Sequence, residues 1–540
     1  MRRILAISGI AVTLTAAGLG LIGPGVFWRG FLAAWILLAL AAAALITAWR
    51  WAGSSKKLAL QTGLAFGLRL GVGVLLMLLL PVIGFADSQV NQAGYSYLDA
   101  YNRDGQAWNL ADSHQSLTAA FTQEYSTDQY GGMLSLSAAI YRGLSPDAHR
   151  QWLILIVTAL VSALGVPFLS KGLANHFDEK TVNLAVWIYV LYPEALLLGG
   201  AQMRDPLLMG LSAMLLWVVS DWRRLGWKAL PVGAVIMSVM MAFSWLVALP
   251  VAGMAAVWWW IDFSSELGRI RLKWLGWLVI IIAGLAALVG MAAWLRESAL
   301  WDGILTVRES GKLSLLFERM PAYLRDPFIW VYGVLQPVLP AAIFDPSVPI
   351  WTTVSILRAL GWYALLPLLI FGVRAAMQAE RGLKRNLLIF SSLFSFLWIF
   401  ISSFRAGGDL WDNPRYRTLL LPLLALTAAW GWVSGREKRD AWLGRIAGCE
   451  GVFLLVFSFW YAGRSIPGIP ALAFGVVVEI IAVGWAGILV YGWVSDALRN
   501  GRANINTLAL DQRLVWQSFG DLSLMIVLTS LLSLWPPAAY

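Results

Sequence analysis

The apolar positions of this chain do not alternate with polar ones; they come in long, nearly unbroken runs separated by short polar or basic stretches. Runs long enough to cross a hydrocarbon core about 30 Å thick fall near residues 4–23, 31–49, 62–84, 151–170, 181–200, 206–220, 229–244, 247–263, 273–295, 351–373, 386–404, 417–434, 448–463, 470–493 and 521–536. A segment in lipid must satisfy every backbone N–H and C=O within itself, so these runs predict helices rather than open strands. The expected fold class is an all-α polytopic membrane protein. Successive runs are divided least sharply over residues 181–220 and 229–263. The first run follows Met1-Arg2-Arg3, the charge pattern of a secretory signal, but it is longer than a signal's apolar core and a second run follows at once. An uncleaved anchor is expected.

Composition agrees with the pattern: 59% of the 540 residues are hydrophobic and 13% charged, so the bilayer is the solvent. Many of the 31 Trp stand beside run ends, as in Trp258-Trp259-Trp260, where amphipathic rings favour the headgroup layer. The formal charge of +10 is spread in short clusters between apolar runs and not along one face, which is a topology signal and excludes a nucleic-acid partner. Arg50, Lys56, Lys57, Arg223, Arg224, Lys228, Arg436 and Lys438 all fall on one side if the N-terminus is cytoplasmic, as the positive-inside rule requires in a prokaryotic plasma membrane. Cys449 is the one cysteine, and with three His it cannot build a structural zinc cluster, so a metal would need oxygen ligands. The basic inside loops leave no room for a nucleotide-binding domain, which argues against ATP-driven transport.

Two expected outer segments, residues 85–150 and 296–350, are too long to be turns, and long loops in a compact protein usually carry function. The first contains YSYLDAYNRDGQAWNLADSHQS, where Trp108, Leu110, Leu117 and Phe121 are spaced for a helix along the membrane surface. Asp104 opens that helix, with Asp99 before it and Asp112 after. Asp ahead of Gly-Gln-Ala-Trp is a good N-cap, and a carboxylate at an outer aqueous boundary is also a candidate base; both roles stay open. Asp205, between Arg204 and Pro206 in QMRDPLLM, stands at another helix start. It could cap, orient a substrate hydroxyl, or hold a divalent cation with a second acid.

In GGDLWDNPRYRTLLLP, Asp412-Asn413-Pro414 begin a span and place Arg415, Tyr416 and Arg417 in its first turn. Positive charge there opposes the helix dipole, so either an anion such as phosphate is gripped or the guanidinium groups reach for lipid headgroups. Within the spans, Arg69, Glu194, Arg358, Glu450 and Glu479 must line a cavity or find a partner, and Arg358 and Glu194 fall in the outer half.

Three features then carry a resemblance: Asp104 followed by Trp108 and Leu110-Ala111, the span ending YPEALLLGGAQMRDPLLM with an acid at its outer turn, and RYRTLLLPLLAL after a late outer loop. In their order and topology, residues 58–434 resemble the GT-C glycosyltransferases, the polytopic superfamily that includes protein O-mannosyltransferases and bacterial aminoarabinose transferases. On that division residues 1–57 are an added two-span hairpin and residues 435–540 are further spans. The resemblance implies a GT-C-like helix bundle with amphipathic surface helices in the large outer loops. It further implies transfer of a sugar from a polyprenyl-phosphate donor to a glycan, lipid or protein acceptor at the outer face, among membrane lipids. Asp104 would be the base, and Asp205 would position the sugar or a divalent cation, Mg or Mn. Arg415, Tyr416, Arg417 and Arg358 would hold the donor phosphate, with Asp99, Trp108, Arg204 and Glu194 as further site residues. A phosphate leaves as a stable anion, so such a reaction needs a base and cations but no general acid. Two rival readings share the membrane setting. A lipid-linked glycan polymerase or ligase would lean on Arg and His, and a transporter or lipid flippase would gather polar groups and broken helices near the bilayer midplane.

Overall fold

A computed structural model describes residues 2–113, 115–125, 130–267, 274–282, 321–407 and 411–501, together with Leu272, Gly284 and Asp409. Most of the expected span 273–295, residues 296–320 of the second large loop and the expected span 521–536 lie outside the described residues. Among the described residues all regular structure is helical. Eight helices are long and apolar enough to cross a membrane, or up to ten if each of two bent pairs is one span. The protein is thus a multi-pass membrane protein by length and composition. The chain divides into two units: residues 1–336, 348–350 and 376–430 form the first, and residues 337–347, 351–375 and 431–540 the second.

Polar residues between the apolar runs start the helices. Ser55 accepts the Leu58 N–H to begin Lys56–Ile83, Asp178 accepts the Thr181 N–H to begin Glu179–Leu191, and Asp440 accepts the Trp442 N–H to begin Ala441–Ser465. The core of the first unit is Trp152–Leu173, whose span is 67% buried against 28% for Phe27–Trp51. It packs on Lys56–Ile83, Asp205–Ser220 and Phe27–Trp51. Backbones meet closely where glycine allows: a Cβ on Gly210 would stand 2.2 Å from the Val161 carbonyl oxygen. The N-terminal hairpin, Arg2–Ile22 and Phe27–Trp51, is fastened to this core at both ends. Arg150 Nη2 donates to Val26 O at 3.1 Å, and Lys171 Nζ donates to Trp51 O at 2.9 Å while lying over the Trp51 ring.

The two stretches that the sequence divides poorly are both broken helices. Between residues 179 and 199, Glu179–Leu191 and Pro193–Gly199 meet at 53°. Pro193 has no N–H, so the Tyr189 carbonyl loses its helical partner; Arg69 Nη2, from inside Lys56–Ile83, donates to it at 2.9 Å. The buried charge at Arg69 therefore mends a backbone break. Farther on, Ala229–Ser265 is interrupted at Ser244, whose backbone is extended. Trp222 Nε1 and Arg223 Nη2 both reach the Asp262 carboxylate, at 3.0 and 2.9 Å, so the chain turns back at Ser244 and forms the two arms that the runs 229–244 and 247–263 predict.

In the second unit Ala441–Ser465 and Phe474–Gly501 form a hairpin of their own. Arg445 and Trp442 at the start of one helix both donate to Asp496 near the end of the other, each at 2.7 Å. Tyr363, from residues 351–375, stacks on Phe453 with ring centroids 6.1 Å apart.

The described residues of 85–150 fold into Gln89–Gln92, Leu98–Asp112, two short 3-10 turns and Gly132–Leu144. The expected surface helix is shorter than its apolar spacing suggests, because Leu117 and Phe121 belong to a separate 3-10 turn. Ser113 ends the helix, and Arg142 takes up its free carbonyls, donating to Leu110 O at 2.6 Å and Ser113 O at 3.2 Å. The buried stripe Ala100, Arg103, Asp104, Ala107 and Leu110 faces Gly132–Leu144.

Candidate functional site

Asp104 is not a helix cap. Leu98–Asp112 begins after Tyr97, which puts Asp104 in mid-helix and leaves Asp99 in the first turn, where a carboxylate suits the dipole. The Asp104 side chain is 2% exposed, and three donors close on it: Tyr95 Oη at 2.6 Å and His149 Nε2 at 2.9 Å on Oδ2, and Tyr141 Oη at 2.7 Å on Oδ1. Trp108 stacks on the His149 ring with centroids 5.2 Å apart, and Tyr141 meets both rings edge-on. Burial, then the Asp104 charge, pushes the Tyr95 and Tyr141 hydroxyls far above the ordinary phenol range, so both remain donors. This is a satisfied buried network joining three elements of the loop. Three donors and a side chain 2% exposed leave Asp104 less open to an acceptor hydroxyl than a carboxylate at the surface.

The opposite face of the helix has different surroundings. Five residues at 100° each turn Asp99 about 140° away from Asp104. Asp99 Oδ2 accepts from Arg415 Nη1 at 3.3 Å, and its side chain is 53% exposed. The same guanidinium lies 3.0 Å from Asp412 Oδ1 and, through Nε, 3.6 Å from Asp205 Oδ1. Tyr416 Oη accepts from Arg415 Nη2 at 3.3 Å and points to Asp412 Oδ2 at 3.4 Å. Three carboxylates from three distant parts of the chain thus surround one buried arginine. Asp205 is 3% exposed, and its Oδ2 has no hydrogen-bond partner among the described residues. Packing holds the arrangement in place. Tyr97 before the first helix meets Trp411 before the last one edge-on at 5.9 Å, and Asp409 accepts the N–H groups of Trp411 and Asp412.

The other expected site residues disperse. Arg415 and Arg417 do not occupy the first turn of a span: Asp412–Thr418 is a separate seven-residue helix, set at 79° to Leu421–Lys438, and both arginines lie in its last turn. Cations there suit the dipole, so the need for an anion disappears. Arg417 is fully buried and donates to the Val334 and Gln336 carbonyls, closing the end of Ala322–Leu335. Arg415 is committed to carboxylates. Neither has the surroundings of a phosphate clamp, and Tyr416 serves Arg415 and Asp412. Arg204 lies over the Tyr130 ring at 4.6 Å, Glu194 is buried in the first turn of Pro193–Gly199, and Arg358 is buried in the second unit. Among the described residues no group of three or more His, Cys, Asp or Glu side chains is set to hold a metal. The three Asp carboxylates lean on the guanidinium, and they do not fit a divalent cation. Sequence reasoning missed His149, Tyr95 and Tyr141. His149 gave one usable signal, as one of three histidines, placed just before an apolar run.

No protein-family model and no curated protein matches the sequence. Among solved structures the archaeal oligosaccharyltransferase AglB from Archaeoglobus fulgidus, in complex with an inhibitory peptide and a dolichol-phosphate, is similar over 80% of this chain, at 13% identity and a TM-score of 0.30. This chain covers 55% of that protein's length. A likeness that loose carries no weight for mechanism, which rests on the geometry of this chain.

Proposed function

We propose that this protein is a membrane glycosyltransferase that moves a sugar from a polyprenyl-phosphate donor to an acceptor, with Asp99 as the base. The observation that carries the reading is the convergence of Asp99, Asp205 and Asp412 on Arg415, with Asp99 and Asp412 reaching solvent at 53% and 37% exposure. Glycosyl transfer builds positive charge on the sugar ring, and preorganised carboxylates stabilise it without reorganising. Arg415 fixes the directions of the three carboxylates, so its role is positioning. Asp99 takes the acceptor hydroxyl's proton as the new glycosidic bond forms, and the polyprenyl phosphate departs with the electrons of the broken bond. Asp205 Oδ2, buried and with no hydrogen-bond partner among the described residues, orients a sugar hydroxyl.

At the Pro193 break, where a transporter would expose backbone for coordination, Arg69 fills the gap. Purified protein in proteoliposomes, given a polyprenyl-phosphate sugar and a candidate acceptor, should release polyprenyl phosphate in step with glycosylated acceptor. Labelled lipid crossing the bilayer with no donor consumed would replace this reading with the flippase one.

A further inference from the structure

The segment 85–150 also holds a pocket, on the far side of Leu98–Asp112 from Asp99. Its volume is about 330 Å³, at the small end of the range for sites that take small molecules, and Trp108, Asp112, Tyr141 and Arg142 line it. Trp108 stands nine residues after Asp99, which turns it about 180° around the helix and carries it about 14 Å along the axis. The pocket is therefore not the place where Asp99 acts. The buried Asp104 network backs it instead: Asp104 holds His149, the His149 ring stacks on Trp108, and Tyr141 meets Trp108 edge-on. The indole is thus set in place before any ligand arrives.

Two polar groups of the lining are uncommitted. Among the described residues the exposed Asp112 carboxylate makes no hydrogen bond or ion pair, and Arg142 Nη1 makes none either. The rest of the Arg142 guanidinium is taken: Nε donates to the Ala111 carbonyl, and Nη2 to those of Leu110, Ser113 and Gln115.

We propose that this pocket is a carbohydrate subsite, which holds one neutral sugar unit of a glycan acceptor. An indole ring suits the C–H face of a pyranose, whose hydroxyls each donate and accept, and the lining offers them one charged donor and one charged acceptor. The two charges select further. Asp112 opposes a phosphate or a carboxylate and Arg142 opposes an amine, so a neutral ligand is the one that meets both groups without repulsion. A peptide strand is held through its backbone and needs free backbone groups beside it, but the carbonyls that end this helix are occupied by Arg142. Because the pocket lies apart from Asp99, the acceptor it serves is longer than one sugar. That last step rests on the functional reading, whereas the chemical class of the ligand does not.

Full-length protein in nanodiscs is probed by saturation-transfer difference NMR with methyl α-mannoside, methyl α-glucoside and N-acetylglucosamine. Glucuronate, glucosamine and the tripeptide Gly-Phe-Gly are run at the same concentration. The ring C–H protons of the neutral sugars should saturate several-fold more than those of the charged ones. Asp112→Ala, at an exposed position, should unfold at the wild-type temperature and lose most of the neutral-sugar signal. Trp108→Leu should lose it too, and Trp108→Phe should keep part of it. Asp112→Asn leaves Arg142 unopposed and should gain glucuronate binding. Asp99→Asn should bind as wild type does. A neutral-sugar signal that is absent, or that survives both Asp112→Ala and Trp108→Leu, overturns the inference, and so does displacement of the sugars by the tripeptide. With a glycan acceptor, Asp112→Ala should raise KM far more than it lowers kcat; a fall in kcat alone would remove the pocket from acceptor binding. Selective sugar binding by a protein that transfers no sugar sustains the subsite and overturns the functional reading alone.

Discussion

Asp99 and Asp104 share a helix, a loop and a charge, yet one is half in water beside Arg415 and the other is sealed under two tyrosines and a histidine. The residue that looks more like a catalytic acid in the sequence is the one that is buried and held by three donors. A carboxylate is useful as a base when substrate can reach a lone pair that no fixed donor occupies, and helix phase decides which of two nearby acids meets that condition.

The largest expected effect tests this contrast directly. Asp99→Asn should lower sugar transfer by about 10²–10⁴-fold with thermal stability in detergent unchanged, whereas Asp104→Asn should keep transfer within about tenfold of wild type. Reversed rates would return the base to Asp104. Next in size, Arg415→Ala leaves Asp205 buried and unpaired and should cost about 3–5 kcal/mol of stability, read from denaturant or thermal unfolding in detergent. Arg415→Lys should recover part of this, since a single ammonium cannot reach three carboxylates at once. A stable Ala variant would mean that the cluster is not held by charge.

On the buried side, Tyr141→Phe removes one donor from Asp104 and should cost about 1–3 kcal/mol in stability while sparing transfer. A loss of transfer at full stability would draw this network into the reaction. The smallest effect concerns the loop's tether to the N-terminal hairpin. The hydrogen bonds from Arg150 hold Asp147 down at a pKa of about 2. A lowered folded-state value contributes stability that is complete above the unfolded carboxylate range and is lost as pH falls through about 2. Asp147→Asn should therefore be less stable than wild type by about 1 kcal/mol at pH 6, and the two should converge as the pH approaches 2. Parallel curves at all pH values would show that the tether does not depend on that charge.

Sequence by itself determined the helical class and the location of most apolar helices in the described residues, because a chain in lipid must write its burial as long apolar runs and its turns as Ser, Asp and basic clusters. It also singled out Asp99, Asp205 and Arg415 as chemistry-bearing positions, since charges at span ends are few enough to notice, but it assigned Asp412 only a place at a helix start. Their grouping was decided by tertiary structure. Residues 99, 205 and 412 are far apart in the chain, and only the packing of three helix ends brings them to one guanidinium. Helix phase at Asp104 turned on where Leu98–Asp112 starts, and a start at Leu98 instead of Asp104 moves that side chain from the cap to the core. Arg69 and Arg417 show the same limit. Each was legible as a charge needing a partner, but the partners are backbone carbonyls of other helices, and backbone carries no signature in a sequence.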